Sequence, residues 1–293
     1  MPPSARQRHA WSSRRIPSGT HYRLPDEQQA PVATPRGPAT PEKRCSSRFL
    51  KVTPSAGYFT YMARAMVNGI EIYYEEHGSG PSLLLIPGLG ADARLFGGVV
   101  PLLAHSHHVI TFDPRGAGRS TAPPGPYRIE QMADDSAVLL SALNVERADV
   151  VGYSMGGRIA LSLALDHPER VRRLVLAATS ARSPVTRRFT RRWWALEVLS
   201  RLPTPGERQP RWAWELQRDA SFAYDASARL GEIVAPTLVL HGRNDHMTPL
   251  ALAEEMRAEI VAATLRTVPG GHLSLVTRER RRFATEVDAF TAV

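Results

Sequence analysis

Cysteine is nearly absent: the 293 residues hold one, Cys45, which excludes a disulfide scaffold and a Cys-rich zinc site. Long apolar runs are also missing. Stretches such as residues 83–87 and 237–240 fall far short of the ~20 residues of a membrane-spanning helix, so no membrane span is expected. Lysine is confined to Lys43 and Lys51, and the rest of the chain uses arginine as its strong base. No apolar stretch near the N-terminus resembles a secretory signal core, which points to a cytoplasmic location. Arg14-Arg15 is followed by Ile-Pro-Ser-Gly-Thr-His, the wrong continuation for a twin-arginine signal.

What is present is unevenly spread. The formal charge is +9, yet residues 1–65 hold 11 basic residues against 3 acidic ones, a net of +8. Residues 66–293 hold 26 against 25. The basic character that would invite a nucleic-acid partner therefore sits mostly in the first 65 residues. No nucleic-acid-binding motif accompanies it, so no such partner is expected. Those 65 residues also contain nine of the 24 prolines and only seven Ile, Leu, Val or Phe. That is too little apolar surface to offset the entropy of ordering. Residues 1–65 thus read as a disordered basic, Pro-rich tail. A transit peptide would share the Arg-rich, acid-poor bias but not the proline density. A start at Met62 or Met66 is the other reading, since a strand pattern follows Met66 at once.

Residues 66–293 read as one α/β domain. Ile70, Ile72 and Tyr74 alternate with Glu71, Tyr73 and Glu75, the period of a half-buried strand. Further strands are predicted at 82–86, 107–112, 149–153, 171–177, 237–241 and 264–268. Helices are predicted at 93–103, 129–143, 155–166, 250–260 and 274–290. Strands alternating with helices imply a mostly parallel central sheet flanked by helices. Residues 180–230 break the rhythm. They hold four of the five tryptophans and ten arginines against five acids, with Phe189, Trp193, Leu196, Leu199 and Leu202 on one helical face. This segment reads as a short helical cap inserted into the domain.

The sharpest motif is Gly152-Tyr153-Ser154-Met155-Gly156-Gly157, placed between a predicted strand and a predicted helix. That is the context of a nucleophile elbow. A turn this tight leaves no room for side chains beside Ser154 and lifts its hydroxyl above the carboxyl edge of the sheet. It also sets the Met155 N–H at a helix N-terminus, facing a developing oxyanion. A serine hydroxyl needs a base to become a nucleophile. Downstream, Asp245 follows the strand at 237–241 and His272 follows the strand at 264–268, in the order Ser…Asp…His. Both would lie at strand carboxyl ends, where open α/β sheets bind ligands. His272 is expected as base and then acid, with Asp245 orienting it. The second oxyanion donor is expected from Pro87-Gly88-Leu89-Gly90, at the Leu89 N–H. Neither this loop nor Gly116-Ala117-Gly118 completes a dinucleotide fingerprint. His105, His107 and His108 cluster without a carboxylate or cysteine to complete a metal set. No metal and no organic cofactor are expected. Asp113 and Arg115 are expected to brace a loop as an ion pair.

Residues 66–293 resemble the α/β-hydrolase fold superfamily. The matching stretches are Leu85-Ile86-Pro87-Gly88-Leu89-Gly90, the run Asp113-Pro114-Arg115-Gly116-Ala117-Gly118-Arg119-Ser120, residues 152–157, residues 242–249 and Gly271-His272. Within it the set looks like esterases and lactonases of the 3-oxoadipate enol-lactonase type. Relatives that use an aspartate nucleophile, such as haloalkane dehalogenases, differ at the position of Ser154. Residues 152–161 also resemble a menaquinone-pathway synthase, which carries a His where Pro87 stands here. The resemblance implies a serine hydrolase acting on a small-molecule ester or lactone. A lyase or acyltransferase with the same triad, and a ligand-binding protein with residual turnover, are the alternatives. Trp193, Trp194 and Arg192 in the cap are the candidate substrate contacts. The cap's excess of arginine reads as a solvated face over tryptophans buried on the core; a contact for a substrate bearing a carboxylate, and a basic lid that touches an anionic membrane or an acyl carrier, are the other readings.

Overall fold

Short runs rich in Leu, Val and Ile become strands that are buried on both faces, as a parallel sheet between two helical layers requires. In chain order the strands are β1 (Cys45–Thr53), β2 (Tyr58–Val67), β3 (Ile70–His77), β4 (Ser82–Ile86), β5 (His108–Phe112), β6 (Ala148–Tyr153), β7 (Val171–Ala177), β8 (Thr237–Gly242) and β9 (Ala263–Val268). The computed structural model describes residues 45–53, 58–183 and 209–292. Among these residues one sheet forms, in the order β1-β2-β3-β5-β4-β6-β7-β8-β9. From β5 through β4, β6, β7 and β8 to β9 every pairing is parallel. The pairings of β1, β2 and β3 are antiparallel.

The helices are α1 (Val100–Leu103), α2 (Ile129–Ala142), α3 (Met155–Asp166), α4 (Arg211–Ala223), α5 (Leu250–Glu259) and α6 (Arg280–Thr291). Because strand side chains alternate, Leu84, Ile86, Val150, Leu174 and Val239 face one way and Leu83, Leu85, Val151, Val175 and Leu238 the other. The first set packs with Met132 and Leu139 of α2, Ile159 and Leu163 of α3 and Met256 of α5. The second packs with Val100 and Leu103 of α1 and Phe283 and Val287 of α6.

Three expectations are corrected. The tail boundary at residue 65 falls inside β2, and β1 lies wholly before it. The inward residues of β2 are Ala63, Ala65 and Val67, so small side chains carry its burial and a census of large apolar residues misses it. The single helix expected at 93–103 is a 3-10 turn, Ala93–Phe96, followed by α1, with Gly97-Gly98 between them. Glycine is the poorest helix former after proline, so the break falls there. The helix expected at 274–290 begins only at Arg280, after a 3-10 turn at His272–Ser274.

Of the cap expected over 180–230, the described part is α4 and a 3-10 turn at Ser227–Glu232. The helical face expected from Phe189 to Leu202 lies outside the described residues. Helix α4 buries Ala213, Gln217, Ala220 and Ser221 on one stripe, small and polar rather than large and apolar.

Candidate active site

Ser154 sits on the turn between β6 and α3 with φ 56° and ψ −119°, a backbone conformation that a non-glycine residue seldom adopts. The turn is held from both sides. The Ser154 N–H donates to Ala177 O at 2.9 Å, and its carbonyl accepts from the Gly157 N–H at 2.9 Å and Thr179 Oγ1 at 2.6 Å. A Cβ at Gly156 would collide with the Ile86 carbonyl, so the helix can start this close to β4 only with glycine there. Strain at such a serine is a feature of functional turns.

His272 Nε2 lies 2.9 Å from Ser154 Oγ, and its Nδ1 lies 2.8 Å from Asp245 Oδ2. The second carboxylate oxygen, Oδ1, accepts the backbone N–H groups of Met247 and Thr248, each at 2.8 Å. Asp245 and His272 are buried, while Ser154 is half-buried. The three residues expected from the order of the chain therefore meet in one line of hydrogen bonds. The loop Pro87-Gly88-Leu89-Gly90 lies against them: a Cβ at Gly88 would sit 3.2 Å from Ser154 Cβ. Leu89 is half-buried on this loop. Met155 opens α3, so its N–H has no acceptor within the helix.

Several side chains at the site carry no motif. The Tyr153 hydroxyl donates to the His272 carbonyl at 2.8 Å, and its ring stands 5.4 Å from the imidazole, centroid to centroid. Burial raises the Tyr153 phenol far above its ordinary range, so it is a fixed donor. His241, at the end of β8, donates from Nε2 to the Thr248 carbonyl at 2.8 Å and lies 3.6 Å from Asp245 Oδ2. Burial pulls its imidazole below the usual histidine range, against the opposing pull of the Thr248 carbonyl and Asp245. Arg158 is buried in α3. Its guanidinium bonds Ser180, Ser221 and Arg182 through hydroxyl and carbonyl oxygens. Burial pushes it down to about 10. Gln209 has both side-chain heteroatoms buried without a hydrogen-bond partner. It stands beside Trp214 against the loop, where a Cβ at Gly90 would meet Trp214 Cδ1 at 2.7 Å and Gln209 Oε1 at 3.5 Å.

The expected Asp113–Arg115 pair does not form. Asp113 instead accepts Arg119 Nε at 2.8 Å and the Ala93 N–H at 2.9 Å, while Arg115 pairs with Asp135 at 2.6 and 2.7 Å. The turn through Gly116 and Gly118 folds Arg119 back onto Asp113 and sends Arg115 toward α2. His107 and His108 bond Thr291 and Glu76, and His246 is exposed. Among the described residues no three His, Cys, Asp or Glu gather to hold a metal ion. No described helix is long and apolar enough to cross a membrane. Trp193, Trp194 and Arg192 lie outside the described residues. The described cap arginines Arg182, Arg211, Arg218 and Arg229 each pair with a carboxylate.

Residues 81–200 match the family model described as alpha/beta hydrolase fold. A protein of Azorhizobium caulinodans, provisionally named carbamate hydrolase RutD, is 32% identical over 234 residues, 69% of this chain and 87% of that protein. The 3-oxoadipate enol-lactonase 2 of Acinetobacter baylyi is 27% identical over 225 residues, 67% of this chain and 83% of that one. Among solved structures, the enol-lactonase from Burkholderia xenovorans LB400 superposes with a TM-score of 0.69 at 29% identity. It covers 78% of this chain and 99% of its own.

Proposed function

The chain belongs to the α/β-hydrolase fold family, and from that premise we propose that it is a serine hydrolase cleaving a small-molecule carboxylic ester or lactone. The observation that carries this reading is the line Ser154 Oγ–His272 Nε2–Asp245 Oδ2, at 2.9 and 2.8 Å, on a strained turn at the carboxyl edge of the sheet. Ser154 Oγ attacks the carbonyl carbon and its proton passes to His272 Nε2. Asp245 holds the ring with its proton on Nδ1 and stabilises the imidazolium. The Met155 and Leu89 N–H groups receive the oxyanion, which is commonly the largest electrostatic contribution to such a barrier. His272 returns the proton to the leaving alkoxide as the C–O bond breaks. A water, deprotonated by the same imidazole, then attacks the acyl carbon, and His272 passes that proton to Ser154 Oγ as the acyl–serine bond breaks and the carboxylic acid leaves.

A carbamate is the second reading. Gln209 favours it, because a buried amide with both heteroatoms unpaired matches the donor and acceptor edge of a carbamate, and leaving such groups unpaired is costly. The relative named as a carbamate hydrolase agrees with this.

Initial rates on p-nitrophenyl esters of graded acyl length, a lactone and an N-methyl carbamate test the proposal, with Ser154→Ala alongside. Turnover is expected to fall by about 10⁴-fold or more in the variant. The acyl group turned over fastest decides between ester and carbamate. Labelling of Ser154 by a fluorophosphonate without any hydrolysis would replace the hydrolase with a lyase or acyltransferase.

A further inference from the structure

Helix α4 presents Gln217 and Ser221 one turn apart on its buried face. Gln217 is wholly buried and uses both ends of its amide. Its Oε1 accepts the Gly90 N–H at 3.2 Å, and its Nε2 donates to the Arg115 carbonyl at 2.8 Å. Arg115 is itself fixed by its pair with Asp135 of α2. Ser221 receives Arg158 Nη1 on both its carbonyl and its hydroxyl, each at 2.7 Å. Arg158 lies one turn beyond Met155 in α3, and its other bonds run to Ser180 and Arg182 after β7. Trp214, on the same helix, lies so close to Gly90 that only glycine, at φ 69°, fits there.

We infer that α4 is a clamp that sets the oxyanion hole, and that Gln217 is its main positioning residue. The two N–H groups proposed to receive the oxyanion belong to separate elements, the Leu89 loop and the start of α3. The buried face of α4 grips both, the loop through Gln217 and α3 through Arg158. Fixing the Gly90 N–H fixes the peptide after Leu89, and with it the direction of the neighbouring Leu89 N–H. An oxyanion hole works only when its donors stand at hydrogen-bond distance from the developing charge, so a small swing of this loop weakens the transition state more than the bound ester. The inference rests on the serine-hydrolase reading. Wild-type turnover and Ser154 labelling report that reading separately.

The test compares wild type with Gln217→Met, which keeps the side-chain length and removes both hydrogen bonds. The expected result is a fall of about 20-fold in kcat with KM within threefold. Affinity for a trifluoromethyl ketone, whose adduct with Ser154 carries the same oxyanion, falls in parallel, while affinity for the product alcohol, which brings no anionic oxygen to the hole, holds. If Gln217→Met does not fold, Ser221→Ala decides, with kcat expected to fall about threefold at unchanged KM. An active, labelled wild type whose folded variant keeps its kcat overturns the clamp. A loss shared equally by the ketone and the product overturns it too. Absence of labelling and turnover in wild type overturns the hydrolase reading instead.

Discussion

His241 has its ring wholly buried, one proton committed to the Thr248 carbonyl and Nδ1 without a partner. The same loop offers the Met247 and Thr248 N–H groups to Asp245, so His241 closes the turn that holds the carboxylate still. Its depressed pKa fixes the sign of a stability effect. Above the ordinary histidine value of 6.5 the ring is neutral in both folded and unfolded chains. As pH falls below that value, the unfolded chain binds a proton that the folded chain resists, and stability is lost through that window. The loss reaches at most about 1.4 kcal/mol per pH unit. His241→Gln keeps a donor for the Thr248 carbonyl but cannot titrate. Urea midpoints at pH 7, 6 and 5 should therefore fall less steeply for the variant, and parallel slopes would show that His241 accepts its proton in the folded state. Ser154, Asp245 and His272 were legible because each lies in a short motif beside a strand end. His241, Gln217 and Arg158 were not. The partners of Gln217 and Arg158 lie far along the chain, and a buried glutamine or arginine has no local pattern.

At the scale of elements, the strand at 82–86, the helix at 155–166 and the strand at 171–177 were readable to the residue, since segments rich in apolar residues met clear turn signals. Strand β2 was hidden because Ala63 and Ala65 bury well but weigh little in an apolar pattern. It pairs with β3 from Thr60↔His77 to Val67↔Ile70, and its inward side joins the core with Ile72, Tyr74 and Leu139. A chain cut to residues 66–293 keeps only two residues of it. Such a cut bares one edge of β3 and the alanine-lined seam above α2. Relative to residues 58–293, it should lose about 3 kcal/mol from broken ladder bonds and lost burial. For a domain of this size that is about 6–12 °C in Tm. Equal melting temperatures by circular dichroism for the two lengths would mean that β2 adds nothing to the fold.

Across the whole molecule, charge is segregated along the chain, and this was legible from composition alone. Residues 1–57 hold ten basic side chains against three acidic ones, while residues 58–293 hold 27 against 25. Many arginines of the second part are already answered: Arg115, Arg119, Arg172, Arg182 and Arg229 each pair with a carboxylate. A basic field strong enough to hold a polyanion therefore belongs to the first 57 residues. The full chain should bind a heparin column at about 50 mM ionic strength and elute as added salt shortens the Debye length. Residues 58–293 should pass through at the same salt. Both lengths should turn over a neutral ester at the same rate, because every residue proposed for the chemistry lies in the second part. Retention of residues 58–293 would instead locate a basic surface on the domain that holds Ser154, and would return charge to the choice of substrate.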